Sequence, residues 1–400
     1  MKILIVNYRY WPDHSGGAQI STRMLAEKLV EMGHSVTVMT CDKEEHIEWH
    51  NGVQIYYLKV SQAALIRQSK FYKRLFFRMI EFYNPFLYKK IENTISSISP
   101  DIIHTNCVQI FSIAVLDIAA KHNIPIVHTA RDFHFICLHV MTRHGAVCSS
   151  FCLPCKIYSA LRKRTYRKIT SFVTISRFMM RKHEERNLFL KGTRKYVVYN
   201  PASNEIVQHK ERKQCTCIGF IGRITKEKGI ELLLESFCKL RNKDLTLVIA
   251  GSGNTDYVNR LKTRYPSDRI KWMGLMDPND FYKDIDLLVV PSLWPEPFGR
   301  TVVEGIYANC PVVISNRGGM PEILEQIPFG VMFDADVPDS LYNKLNEIVN
   351  DNGLYHSFYN TKKETKMFFN DYIASRYEAI YFETIEQYKK SKHVTEAYEY

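Results

Sequence analysis

The stretch that decides the fold runs from Asp286 to Gly305, DLLVVPSLWPEPFGRTVVEG. Its apolar run, residues 287–290, reads as a buried strand. Pro291, Pro295, Pro297 and Gly299 then exclude helix and strand, so a loop follows. Gly299 and Thr301 can open a helix carrying Val302, Val303, Glu304, Ile306 and Tyr307. A strand whose loop feeds a helix is the phosphate- and sugar-binding corner of an open α/β sheet. Glu296 stands in the loop and Glu304 in the helix. Their separation along a helical path is on the order of 10 Å, too wide to share one proton. It suits hydroxyls at two ends of one ligand. A helix-terminal carboxylate beside a surface carboxylate would leave the same trace.

Working outward, the 400 residues suffice for two domains, and 46% apolar with 24% charged residues is globular composition. No apolar run approaches the roughly 18 residues of a membrane span. The apolar start, Ile3 to Val6, is too short for a signal-peptide core and runs into Asn7 and Arg9. A cytoplasmic location is expected, with the ten cysteines mostly reduced. Charge is uneven. Residues 1–200 hold 29 Lys and Arg against 14 Asp and Glu, whereas residues 201–400 hold 25 against 28. Only the first half seeks an acidic partner.

In that first half, residues 2–6 predict a strand, Gly16-Gly17 a helix start, and Gly33 the helix end. The glycine pair would let backbone N–H groups approach a phosphate, or simply make a tight turn. Residues 63–92 place Phe71, Leu75, Met79, Phe82 and Phe86 at helical spacing beside Arg67, Lys70, Arg74 and Arg78. That pattern fits a membrane-surface helix or a core helix with a basic outer face. Pro85 is expected to kink or end it. Strands near 101–105, 124–129 and 172–175 each end in polar residues, among them Arg131 and Asp132. Polar groups gathered at strand ends point to a ligand cleft. Cys137, Cys148, Cys152 and Cys155 follow, either as a structural zinc site or as buried thiols. Residues 151–200 add 13 Lys and Arg against two Glu, which favours an anionic surface.

Residues 196–199 close this series, and a polar stretch to Gln214 suits a linker. A second α/β series begins at Cys217. Gly222-Arg223 ends its first strand, and Lys226, Lys228 and Gly229 precede a helix. Cations at a helix start can clamp a diphosphate. Gly251-Ser252-Gly253 is a tight turn after another strand, and Gly318-Gly319-Met320-Pro321-Glu322 opens a later helix. Residues beyond Ser340 read as helical, with a frayed tail from 391.

Taken in order, Gly16-Gly17, Gly222-Arg223 with Lys228-Gly229, Gly251-Ser252-Gly253, Glu296-Pro297-Phe298-Gly299 with Glu304, and Gly318-Gly319-Met320-Pro321-Glu322 resemble the retaining glycosyltransferases of family 4. The Arg131-Asp132 corner and the four cysteines resemble members that work on bacterial surface polysaccharides. The resemblance implies the α/β GT-B fold: two Rossmann-like domains with parallel sheets facing a cleft. Residues 1–200 would bind acceptor and 201–374 the nucleotide-sugar donor, with a helix at about 375–392 packing back on the first domain. Arg223 and Lys228 would hold the donor diphosphate, Glu304 the ribose, and Glu296 the donated sugar beside the backbone of Phe298 and Gly299. Gly16, Gly17, Gly222, Gly251, Gly253, Arg300 and Thr301 would line the same donor site. Glu296, Arg223, Lys228, Arg131 and Asp132 form the implied catalytic set, with no catalytic metal or other cofactor required. The donor would be UDP- or GDP-linked.

Two departures stand out. Relatives frequently carry a His before the Asp, where Arg131 cannot act as a base, and an acidic residue where Gln19 stands. The basic first half is expected to meet a saccharide or lipid-linked acceptor at an anionic membrane surface, as a peripheral protein. A nucleotide-sugar epimerase of the same fold is the alternative enzyme, and it would have no need of a basic acceptor lobe. No nucleic-acid motif is present, and none is expected as partner.

Overall fold

The computed structural model describes residues 1–12, 16–60, 85–108, 110–111, 113–138, 140–143, 146–148, 150–190, 192–202, 206–209, 211, 213–361 and 364–397. The aromatic and basic residues Arg67 to Phe82 lie outside the described residues. A helix is described from Pro85 to Ile98.

The first sheet is built from β1 (Lys2–Val6), β2 (Ser35–Asp42), β3 (His46–His50), β4 (Val53–Lys59), β5 (Ile102–Thr105) and β6 (Ile126–Ala130). After a small hairpin, β7 (Thr142–Arg143) with β8 (Ala146–Val147), it is completed by β9 (Ser171–Thr174) and β10 (Arg194–Val197). The strand order is β10-β9-β6-β5-β1-β2-β4-β3. All pairings are parallel except that of the edge strand β3 with β4. The second sheet contains β11 (Cys217–Ile221), β12 (Thr246–Ala250), β13 (Ile270–Gly274), β14 (Leu287–Val290), β15 (Val312–Ser315) and β16 (Gly330–Phe333). Its order is β13-β12-β11-β14-β15-β16, parallel throughout. Parallel strands covered on both faces must be apolar on both sides. Ile3 to Val6 and Leu287 to Val289 meet that demand with nearly complete burial.

Each sheet reverses direction once. In the first, β1 lies between β2 and β5; in the second, β11 lies between β12 and β14. Such a switch point opens a crevice at the carboxyl ends of the strands. Asp286 ties the second one together. Its carboxylate accepts N–H bonds from Thr216 and Cys217, both at 2.8 Å, and so pins the start of β14 to the start of β11.

The chain crosses back at its end. A helix spans Asn370–Ala397, five residues longer at each end than the sequence pattern indicates. It covers one face of the first sheet with Ile373, Ala374, Tyr377, Ile380 and Tyr381. Several buried polar groups in this contact pair with one another. His104 Nδ1 pairs with Tyr381 Oη at 2.7 Å, and His104 Nε2 with Thr129 Oγ1 at 2.8 Å. Thr384 Oγ1 meets Ser171 Oγ at 2.7 Å. At the helix start, Asn370 Nδ2 donates to the Met24 carbonyl at 2.9 Å. The β3–β4 hairpin escaped the sequence reading because β3 is only five residues long and its apolar residues, Ile47 and Trp49, are exposed, so they do not mark a buried face.

Burial pushes the imidazoles of His104, His128 and His183 down, to about 3 for His128 and about 4 for His183. These groups bind fewer protons folded than unfolded, so stability rises with pH across the intervening window. Each should withdraw roughly 1.4 kcal/mol per pH unit below about pH 6.5. Thermal melts should therefore fall steeply between neutral pH and about pH 4, and His128→Gln should flatten the slope; a pH-independent melting point would contradict this.

Candidate active site

The corner at the ends of β11 and β14 is built from two loops that lock together. The turn Lys226–Lys228 after β11 docks on the loop after β14 through the Glu227 carbonyl. That carbonyl accepts N–H bonds from Leu293 at 2.9 Å and Trp294 at 3.0 Å. Gly229 allows the approach. Its φ is 72°, and an added Cβ would lie 1.8 Å from the Pro291 carbonyl oxygen. Lys228 is thereby delivered to Glu296, Nζ to Oε1 at 2.5 Å. Glu296 also accepts from Ser292 Oγ at 2.8 Å, while Ser315 Oγ holds the Ser292 carbonyl at 2.6 Å. The Trp294 ring sits 5.7 Å from Lys228 Nζ. A carboxylate only 10% exposed is sustained here by one cation and one hydroxyl.

Glu304 sits one turn into the helix Arg300–Tyr307, paired with Arg300 at 2.7 Å. Burial raises its carboxyl above the usual range, and the Arg300 charge opposes that shift. The two acids thus have separate cations, at two places in one crevice. Gly299, at φ 104°, opens that helix in a left-handed conformation a side chain would not tolerate beside Met320. Phe298 is buried, its ring stacked 5.6 Å from Tyr199 and tilted against Phe368 at 5.9 Å. Its ring is a packing element, so only its backbone faces the loop.

Arg223 follows β11, exposed and without an ion pair among the described residues. It is a cation free to take an anion. Gly222, Gly251 and Gly253 have a different reason for being glycine. A Cβ on Gly251 would fall 1.8 Å from the Gly222 carbonyl oxygen, and one on Gly253 would fall 2.2 Å from that of Ile224. Gly251 and Gly253 thus let strand ends pack backbone to backbone, while Gly222 holds a φ of 151°.

The first domain closes the crevice. Gly17 begins the helix Gly17–Glu31, and an added Cβ there would lie 3.8 Å from Arg300 Cδ. The start of that helix therefore lies beside Arg300 of the second domain. Gly16 precedes it as the flanking residue. Arg131, nearly buried, donates from Nε to Asn106 Oδ1 at 2.8 Å and also to Asn200. It braces three strand ends. Asp132 accepts the His134 N–H at 2.8 Å. Thr301 offers its carbonyl to Tyr282 Oη at 3.3 Å. Trp294 Nε1 reaches the Val140 carbonyl at 3.0 Å, and Ser176 Oγ the Pro297 carbonyl at 2.6 Å. Glu322 caps a helix of the opposite domain, accepting the Arg177 N–H at 2.7 Å. Ser292, Ser315 and Trp294 were invisible as site residues in the sequence, since no period or motif marks them.

Of the four clustered cysteines, Cys137 and Cys155 meet at 3.5 Å between Sγ atoms. Burial first, then the Cys137 neighbour, pushes the Cys155 thiol up to about 12. Cys148 lies on the wall of an interdomain cavity and Cys152 precedes the next helix. Among the described residues no group of three or more His, Cys, Asp or Glu side chains is arranged to hold a metal ion.

Comparison with known proteins agrees with this geometry. The family model described as Glycosyltransferase Family 4 matches residues 15–204, and that described as Glycosyl transferases group 1 matches residues 202–365. An uncharacterized 42.6 kDa protein in the cps region of Klebsiella pneumoniae is 33% identical over 95% of this chain and 100% of its own. The O-antigen biosynthesis glycosyltransferase WclY of Escherichia coli is 27% identical over 48% of this chain and 57% of its own. Anabaena HepE, solved with UDP and glucose, superposes with a TM-score of 0.65 at 16% identity, covering 99% of this chain and 100% of that one. The chain belongs to glycosyltransferase family 4 and has the GT-B fold.

Two measurements check the site. Gly229→Ala should cost more than about 2 kcal/mol, because backbone oxygen cannot retreat as a side chain can. Lys228→Met should destabilise by about 1–3 kcal/mol, and adding Glu296→Leu should restore part of it; additive losses in denaturant melts would refute the coupling.

Proposed function

We propose that the protein is a retaining glycosyltransferase that moves a sugar from a nucleotide-diphosphate donor to a hydroxyl of a lipid-linked saccharide in surface polysaccharide assembly. The observation carrying the reading is the Lys228–Glu296 pair at the β11/β14 switch point, with Gly17 facing Arg300 across the crevice. HepE, of the same fold, was solved with UDP and glucose, and WclY is named for O-antigen biosynthesis.

Arg223 and Lys228 take the diphosphate, and the helix start at Gly17 adds backbone donors. Glu304 accepts hydrogen bonds from the ribose, while Glu296 and the backbone after it hold the sugar. The bond from the anomeric carbon to the diphosphate oxygen breaks as positive charge develops on the sugar. Arg223 and Lys228 stabilise the departing negative charge. The acceptor oxygen attacks from the face the nucleotide leaves, and its proton passes to the departing phosphate oxygen. The products are the glycosylated acceptor, with the anomeric configuration kept, and a nucleoside diphosphate. Arg131 positions the crevice wall through Asn106 and Asn200.

A screen of UDP-, GDP- and ADP-sugars by thermal shift tests this, since a true donor stabilises the folded state. With that donor, Glu304→Gln should lose roughly 10- to 100-fold in kcat/KM and Lys228→Ala roughly 100-fold or more, both folded. NMR of the product should show a retained anomeric configuration. Epimerised nucleotide sugar without acceptor, or unchanged activity in both variants, would overturn the assignment.

A further inference from the structure

The helix Leu153–Leu161 presents an unusual outer face. Leu153, Ile157 and Leu161 fall at successive helical turns and are 69%, 54% and 64% exposed. Three aliphatic side chains in one outward stripe are more than a scattered surface leucine. The opposite face is fixed: Cys155, Tyr158 and Ser159 are buried. Arg186 holds the helix from beneath, from Nε to Ser159 Oγ at 3.0 Å and from Nη2 to the Lys156 carbonyl at 3.3 Å. The stripe is therefore presented by a braced helix, and rolling it inward would break these bonds.

The surroundings name the occupant. Lys156, Lys163, Arg164 and Arg167 are exposed around the stripe, and none has an ion pair among the described residues. Residues 133–183 contain ten Lys and Arg and no Asp or Glu. A second copy of this chain would set one cationic face against another. An anionic lipid surface accepts both features: aliphatic side chains enter the acyl boundary while lysine and arginine meet the headgroups.

The helix also lies beside the crevice. Its Cys155 touches Cys137, four residues before Met141. Met141 and Cys148 wall a cavity of about 780 Å³ shared with Leu293, Pro295 and Gly318 of the other domain. A molecule held in the same membrane would reach the site from this side.

We propose that the helix Leu153–Leu161, with its flanking cations, docks the protein on an anionic membrane surface by inserting Leu153, Ile157 and Leu161 beside the mouth of the crevice. The use of this surface rests on the lipid-linked acceptor reading; its existence does not. The test is sedimentation of the full chain with phosphatidylglycerol-containing and pure phosphatidylcholine vesicles, without donor or acceptor. Wild type should bind the former, and each cation removed from the four should weaken binding about fivefold at low salt. Leu153→Ser/Ile157→Ser/Leu161→Ser should weaken it at least tenfold at any salt, with an unchanged melting point because the residues are exposed. Glu304→Gln should bind like wild type, separating this result from failure of the donor assignment. Wild type that ignores anionic vesicles, a triple variant that binds them fully, or a dimer that the triple variant dissolves would each overturn the proposal.

Discussion

A carboxylate withdrawn from water needs a cation, and in this protein Lys228 is that cation for Glu296. The pair requires two loops from different strands to meet within hydrogen-bond reach. The Glu227 carbonyl binds the Leu293 and Trp294 amides, and Gly229 lets Pro291 come close enough. These contacts hold both loops in place around the Lys228–Glu296 pair. Ser292 and Ser315 extend the same logic one layer outward, so that the acid is held from both sides.

The two domains are held in register by bonds that cross the crevice at its edges. Ser176 binds the Pro297 carbonyl, Trp294 binds the Val140 carbonyl, and Glu322 caps the helix that begins at Arg177. Each crossing bond ends in the loop after β14 or in the helix Met320–Gln326. Motion of one domain against the other would thus be felt first at Glu296 and its neighbours. The terminal helix adds a strap on the far side, anchored by the His104–Tyr381 and Ser171–Thr384 bonds. Charge is divided unequally as well: the basic excess lies in the half that carries the Leu153–Leu161 helix.

Much of the molecule was legible in the chain itself. The strands of the second sheet follow from short apolar runs ended by glycine or proline, because strands buried on both faces tolerate little else. Arg223, Lys228, Glu296 and Glu304 were legible as well, since ionisable side chains gathered at strand ends have few structural uses. The glycines were legible as glycines, and close backbone approach accounts for two of them. Gly251 and Gly253 are small because Gly222 and Ile224 pass against them, and a backbone approach of that kind leaves no trace in residue spacing. The first sheet's edge hairpin was missed for a related reason: Ile47 and Trp49 of its short edge strand are exposed, so apolar residues there do not mark an inner face.

Sequence by itself therefore determined the two α/β series, the acidic and cationic side chains near the ends of β11 and β14, and the unequal charge of the halves. These depend on periodicity and residue chemistry, which are local. Tertiary structure alone decided that Glu296 and Glu304 take separate cations, and that Arg131 braces Asn106 and Asn200. It also decided that the Phe298 ring is packing and that Leu153, Ile157 and Leu161 face outward. Those outcomes depend on which distant residues arrive at the same point in space, and a one-dimensional pattern of residue types does not contain that information.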